Sequence, residues 1–241
     1  MQYNSVLKED SEVQSAVDNL ISLGLFSHHA RVKAWDTWRM IDIIRKGNRD
    51  SFILDVGCNG SPILPMLKRL GFINLYGCDI TLSTRYPLQI MKIYHSFRMK
   101  EYKPMVEMLS DKSLHLSIQN LENTKYEDNM FDYITSLSVI EHGVNIERYL
   151  MEMSRILKRG GFLLTSTDYW PMKISNTVRA ISKETPDVIF SREEIEKIIA
   201  MAKQFNLEVT EPIDFTHKDK VVHWDATGLD YTFIFFALRK V

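Results

Sequence analysis

The chain has 241 residues, 45% of them hydrophobic, with 30 basic against 31 acidic side chains and a formal net charge of −1. That length suits one large α/β domain with an appendage, and the balanced charge supplies no overall field for holding a nucleic-acid duplex. No apolar run approaches the ~20 residues of a membrane-spanning helix, and the opening MQYNSVLKEDSEVQ lacks the basic and apolar regions of a secretory signal, so a cytoplasmic protein without a membrane span is expected.

The first predicted element is an amphipathic helix, Ser11 to Leu23, with Val13, Ala16, Val17, Leu20 and Ile21 on its apolar face. Ser11 and Gln14 are spaced as a capping box and Gly24 as a stop. A second helix, Arg31 to Lys46, carries Trp35, Trp38, Ile41 and Ile44 and stops at Gly47; the tryptophans are expected to be core or lid packing. Residues 1–48 therefore read as an N-terminal helical cap on a domain of residues 49–241. From there strands and helices alternate: a strand Phe52 to Val56, a helix within Pro62 to Leu70, and a strand Asn74 to Cys78. A long segment to Lys112 precedes strands near Leu114 to Gln119, Tyr133 to Leu137 and Phe162 to Ser166. A helix from Ile146 to Leu157, ended by Gly160 and Gly161, separates the last two. This is the rhythm of a doubly wound parallel sheet. The tail departs from it: a helix capped by Ser191 and Glu194 runs to Phe205, then strands Leu207 to Ile213 and Tyr231 to Leu238 follow without a helix between them, a pair best joined antiparallel. Cys58 and Cys78 have no CxxC or CxxH companion and read as reduced, buried residues.

In open α/β sheets a ligand lies beyond the carboxyl ends of the strands, where the strand order reverses. The first of these strands ends in Asp55 and a turn with Gly57, Asn59 and Gly60, and the second ends in YGCDI at Asp79. A carboxylate at that second position can accept from both hydroxyls of a ribose. The dinucleotide fingerprint GxGxxG is absent, which argues against a nicotinamide cofactor.

ILDVGCNGS, YGCDI, FDYITSLSVIEHG and LMEMSRILKRGGFLLTSTD, in that order from about Phe52 to Asp168, resemble the successive motifs of class I S-adenosylmethionine-dependent methyltransferases. The resemblance implies a Rossmann-like, seven-stranded, mostly parallel sheet with an antiparallel last strand. It also implies S-adenosylmethionine as cofactor and S-adenosylhomocysteine as product. It maps Asp55, Gly57, Cys58 and Gly60 beneath the methionine part, Asp79 to the ribose, Ile80 beside the adenine, Asn120 and Leu121 at the adenine edge, and Ser138 beside the methionine. Asn59 and Ser61 stand where the family has glycines, and Asn59, tolerant of positive φ, is expected to hold the same turn.

Methyl transfer from a sulfonium is an in-line displacement that chiefly needs alignment and, for a hydroxyl acceptor, a base. His142 is the first candidate and Asp168 the second, both just beyond strand ends, and the resemblance to small-molecule and sugar O-methyltransferases points to the same two. No metal site is expected, although His217 and His223 precede the last strand and could reach an acceptor. Residues 85–103 interleave five cations with aromatic rings, which could suit a phosphorylated or nucleotide-linked sugar, although a solvated helix packing its aromatics on the sheet fits as well. Tyr169 and Trp170 could wall an acceptor pocket. DYWPMKI, IFSREEIEKIIAMA and GLDYTFIFFALRK resemble, more softly, bacterial methyltransferases of surface-glycan assembly, which implies a sugar hydroxyl as acceptor. A small-metabolite N- or C-methyltransferase and a non-catalytic cofactor-binding partner protein remain the alternatives.

Overall fold

A computed structural model describes residues 2–27, 30–80, 82, 111–175, 186–225 and 227–241. The cationic, aromatic stretch 85–103 lies outside the described residues. Among the described residues nine strands form one sheet: β1 (Ser5–Val6), β2 (Phe52–Val56), β3 (Asn74–Asp79), β4 (His115–Ile118), β5 (Phe131–Leu137), β6 (Leu157–Tyr169), β7 (Leu207–Val209), β8 (Val222–Trp224) and β9 (Leu229–Lys240). The helices are α1 (Asp10–Ser22), α2 (Ala34–Ile44), α3 (Ile63–Arg69), α4 (Ile146–Ile156) and α5 (Arg192–Gln204), with a 3-10 turn at Arg31–Lys33 leading into α2.

Strands β4, β3, β2, β5 and β6 lie side by side and parallel, and β9 follows antiparallel to β6. Beyond β9, both β7 and β1 pair antiparallel with successive stretches of it, and β8 pairs with its start. The expected seven-stranded path is thus present, and the two additional strands are β1 and β8. From β2 the chain builds outward to β3 and β4, then returns to place β5 and β6 on the other flank. The order therefore reverses between β2 and β5, the place where open α/β sheets bind their ligands.

Both faces of the sheet are buried, as parallel sheets require. Along β9, Phe233, Phe235 and Ala237 join the core formed with α1, α2 and α3, while Ile234, Phe236 and Leu238 join the core formed with α4 and α5. That is the period-2 alternation of a strand read off residue by residue. Trp35 and Trp38 are buried in the first core, so the pair is packing; the Trp35 indole donates to Glu12 at 2.8 Å.

Three local expectations are corrected. Ser11 is not the cap of α1: Glu9 occupies that position without a side-chain cap, and the Ser11 hydroxyl donates to the Glu9 carboxylate instead. Gly160 and Gly161 do not end α4, which passes at Leu157 directly into the extended backbone of β6. The glycines serve the strand, because a Cβ on Gly161 would come within 2.9 Å of the Asp132 carbonyl oxygen. The strand after α5 stops at Val209, well short of Ile213. By contrast, the Ser191–Glu194 capping box on α5 is formed in both directions.

Candidate functional site

Strand register brings the predicted residues to one edge. Val56 pairs with Ser136 and Cys78, and Leu137 pairs with Ser166, so Gly57, Asp79, Ser138 and Thr167 lie level at the carboxyl end of the parallel strands; Asp79 is the last residue of β3, and Asp168, expected just beyond a strand end, lies within β6, which runs on to Tyr169 paired with β9. Gly57 and Gly60 have φ of 67° and 90°, values that L side chains rarely adopt. Gly57 is also crowded, since a Cβ there would lie 2.5 Å from Val139 Cγ2, whereas a Cβ on Gly60 would meet nothing within 4 Å. The turn is tied to β3 by hydrogen bonds from the Gly57 and Cys58 amides to the Cys78 carbonyl, at 2.8 and 3.2 Å. Asn59 is not left-handed, contrary to expectation; the two glycines supply the positive φ, and the Asn59 amide donates to the Asp79 carboxylate at 3.1 Å.

Asp55 is fully buried and accepts from the Thr135 hydroxyl at 2.7 Å. Burial pushes its carboxyl up to about 7, helped by the nearby charge of Asp79 and opposed by the Ser61 and Thr135 hydroxyls. Cys58 and Cys78 are free and buried, and burial raises both thiols. Ile80, just past β3, exposes 61% of its surface, an unusual position for an isoleucine, while Leu121 is buried. Asn120 follows β4 and folds its side chain over its own turn, accepting from the Glu122 amide at 2.9 Å.

The second half of the edge is a cluster of buried polar groups. His142 Nδ1 stands 3.0 Å from Asp187 Oδ1; the His142 side chain is 21% exposed and that of Asp187 only 2%. Glu141, also buried, accepts from the Thr167 hydroxyl at 2.9 Å through Oε2. Burial pushes Asp168 up to about 7, with the Glu141 charge adding to the effect and Lys33, the Tyr231 hydroxyl and His142 opposing it. Burial likewise raises Tyr231, whose hydroxyl faces Asp168. Ser138 has a left-handed backbone, φ 52°, rare for a residue with a side chain. Its hydroxyl accepts from Lys33, whose ammonium is 3.5 Å from the buried Asp36; Asp36 in turn accepts from the Ser166 hydroxyl at 3.0 Å. Sequence reasoning missed Lys33, Asp36, Asp187 and Tyr231. A lone acid inside the apolar run AWDTW was the available signal for Asp36.

His223 sits apart on the exposed β8–β9 hairpin, 2.7 Å from Asp230, and His217 packs against the Trp170 ring. Among the described residues no group of three or more His, Cys, Asp or Glu side chains is arranged to hold a metal ion.

The raised carboxyls of Asp55 and Asp168 contribute a pH dependence. Between about pH 4 and 7 the folded protein keeps protons on Asp55 and Asp168 that the unfolded chain has already released. Their contribution to stability therefore falls as pH rises through that window, by at most about 1.4 kcal/mol per pH unit for each group. The Asp168→Asn variant should lose stability less steeply than wild type from pH 5 to 7 in denaturant titrations at each pH. Equal slopes would show that Asp168 ionises normally in the fold.

Residues 54–165 match the family described as a methyltransferase domain. A ubiquinone biosynthesis O-methyltransferase of Dictyostelium discoideum is 30% identical over 115 residues, 48% of this chain and 34% of that protein. The enzyme of the same name from Rickettsia prowazekii is also 30% identical over 115 residues, 48% of this chain and 39% of its own length. The chain spans about a third of the length of the curated relatives it matches. Among solved structures, an S-adenosylmethionine-dependent methyltransferase of Methanosarcina mazei superposes with a TM-score of 0.53 at 15% identity, covering 83% of this chain and 97% of that one. The [4+2]-cyclase SpnF superposes at 0.58 with 15% identity, covering 98% of both chains. At such identities the shared property is the fold.

Proposed function

We propose that this chain, whose residues 54–165 match a methyltransferase domain, is a class I S-adenosylmethionine-dependent methyltransferase that transfers the cofactor's methyl group to a hydroxyl of a small-molecule acceptor. The observation that carries the proposal is the pairing, at the reversal of strand order, of the Gly57–Gly60 turn with the Asp79 carboxylate. The residues fit the cofactor: Gly60 borders open space that a side chain would fill, and a carboxylate already oriented by the Asn59 amide stands beside it.

In this reading Asp79 accepts from the ribose hydroxyls, and Ile80, Asn120 and Leu121 border the adenine. The turn Gly57, Cys58 and Gly60 supports the methionyl portion together with Ser138. Asp55 braces the turn from below through Thr135. When bound, the cofactor supplies an electrophilic methyl carbon on a sulfonium, which leaves as a neutral thioether. What the chain must add is alignment and a place for the acceptor's proton. His142 fits that second task. Its Nδ1 faces Asp187, so Nε2 is the nitrogen that takes the hydroxyl proton as oxygen attacks, and the buried acid stabilises the resulting imidazolium. Asp168, partly protonated near neutrality, is the second candidate and faces Tyr231.

The relatives' names favour an oxygen acceptor, in ubiquinone biosynthesis. The softer resemblance to glycan-assembly enzymes favours a sugar hydroxyl. Both are hydroxyl acceptors, and they separate in one assay. Transfer of label from methyl-labelled S-adenosylmethionine is measured to a panel of phenols, free sugars and sugar nucleotides. Labelled ether from either class supports O-methylation and names the acceptor class. Label recovered only on nitrogen or carbon, or no transfer by a protein that binds the cofactor, contradicts it.

A further inference from the structure

A pocket made of residues that the cofactor reading does not use lies where the loop after β7 meets the start of α5. Its volume is about 420 Å³, a size that suits a small molecule, and it is lined by Arg192, Ile213, Asp214, Phe215, Thr216 and His217. It is joined to the candidate site through Trp170, which follows Asp168 and Tyr169 at the end of β6 and whose ring stands 5.2 Å from that of His217. The Lys220 ammonium stands over the same Trp170 ring, 4.9 Å from its centroid.

The lining offers donors and no acid without a partner. The Arg192 guanidinium donates from Nε to Glu196 at 2.8 Å, and its remaining N–H groups make no hydrogen bond among the described residues. It lies 4.7 Å from the centroid of the Phe215 ring, so the ring and Glu196 together fix where the open side of the fork stands. The His217 imidazole meets Trp170 as a ring and makes no hydrogen bond among the described residues. Asp214, the one acid of the six, is already engaged. Its carboxylate accepts from Lys8 at 2.7 Å and from the Thr216 amide at 2.9 Å, and the Thr216 hydroxyl faces it as well. A ligand for such a lining has acceptor oxygens at one end, for Arg192 and His217, and an organic body at the other, for the Ile213 and Phe215 wall. A cation would find no carboxylate here that another group does not already hold.

We propose that this pocket binds a phosphorylated small molecule, with the Arg192 fork and the His217 imidazole on the phosphate oxygens and Ile213 and Phe215 against the organic part. The proposal goes beyond the methyl-transfer reading and stands on different residues.

The test is calorimetric titration of the full chain with phenyl phosphate and glucose 1-phosphate, beside their parts: phenol, glucose and inorganic phosphate. At least one of the two organic phosphates should bind saturably to wild type, and more tightly than either of its parts. Arg192→Gln should weaken that binding roughly tenfold or more, the lower end for a hydrogen bond to a charged group. Arg192→Lys should recover little of it, because an ammonium lacks the planar fork. His217→Ala should weaken it in the same direction. Both side chains are exposed, so the melting temperatures of these variants should match that of wild type. Saturating S-adenosylhomocysteine should change the affinity by no more than about twofold, as for sites without shared partners. Binding of neither organic phosphate, equal binding of a phosphate-free part, indifference to Arg192, or displacement by S-adenosylhomocysteine overturns the assignment.

Discussion

Replacing His142 with alanine should lower kcat by roughly 10²- to 10⁴-fold, the range contributed by a positioned base, while S-adenosylhomocysteine binds as it does to wild type. The expectation follows from geometry: an imidazole partly open to solvent, with one nitrogen 3.0 Å from a buried aspartate. Asp187→Asn keeps the shape but loses the charge that stabilises the imidazolium, so its kcat should fall between those of wild type and His142→Ala. Steady-state kinetics with an acceptor from the panel, beside calorimetry with the product, separates a chemical defect from a binding defect. A His142→Ala enzyme within threefold of wild type would move the base to Asp168, or to an acceptor that needs none.

The second large effect contrasts two glycines three residues apart. Gly57→Ala forces a side chain into a left-handed backbone, at about 1–2 kcal/mol, and drives its Cβ into Val139, adding about 1–3 kcal/mol of overpacking. Gly60→Ala carries the same backbone strain without a clash, because the space beside it is open. Gly57→Ala should therefore lower the melting temperature more. Gly60→Ala should lose more cofactor affinity for each degree of melting temperature lost, since its methyl group enters the space assigned to the ligand. Thermal denaturation and titration of the same two proteins check both halves. The reverse ranking in affinity would place the ligand elsewhere.

The parts of this architecture visible in the sequence were those fixed by local pattern. β2 was bounded correctly because FILDV ends at a glycine turn, and α5 because Ser191 and Glu194 reciprocate as a cap. What escaped depends on contacts between distant residues. β1 is two residues long and has no period to detect; it exists because β9 offers it an edge. β8, VHW, reads as a loop until it pairs with β9. Lys33, in the turn before α2, looks like an ordinary surface charge, and only the folded structure brings its ammonium to Ser138 and the buried Asp36. Asp187 joins His142 across 45 positions of chain, and nothing near either residue announces the other. The glycines after α4 misled for the converse reason: a Gly pair there is a common helix stop, but here the tight approach to Asp132 requires it.

Whether the edge formed by Gly57, Gly60 and Asp79 is an S-adenosylmethionine site is decided by calorimetric titration of wild type and Asp79→Ala with S-adenosylhomocysteine and NAD. Asp79 is expected to contribute hydrogen bonds to a ribose, each worth about 1.5–3 kcal/mol when one partner is charged. Saturable binding of S-adenosylhomocysteine is expected, at least tenfold weaker in Asp79→Ala, with no comparable affinity for NAD. Tighter binding of NAD, or S-adenosylhomocysteine binding indifferent to Asp79, would contradict it.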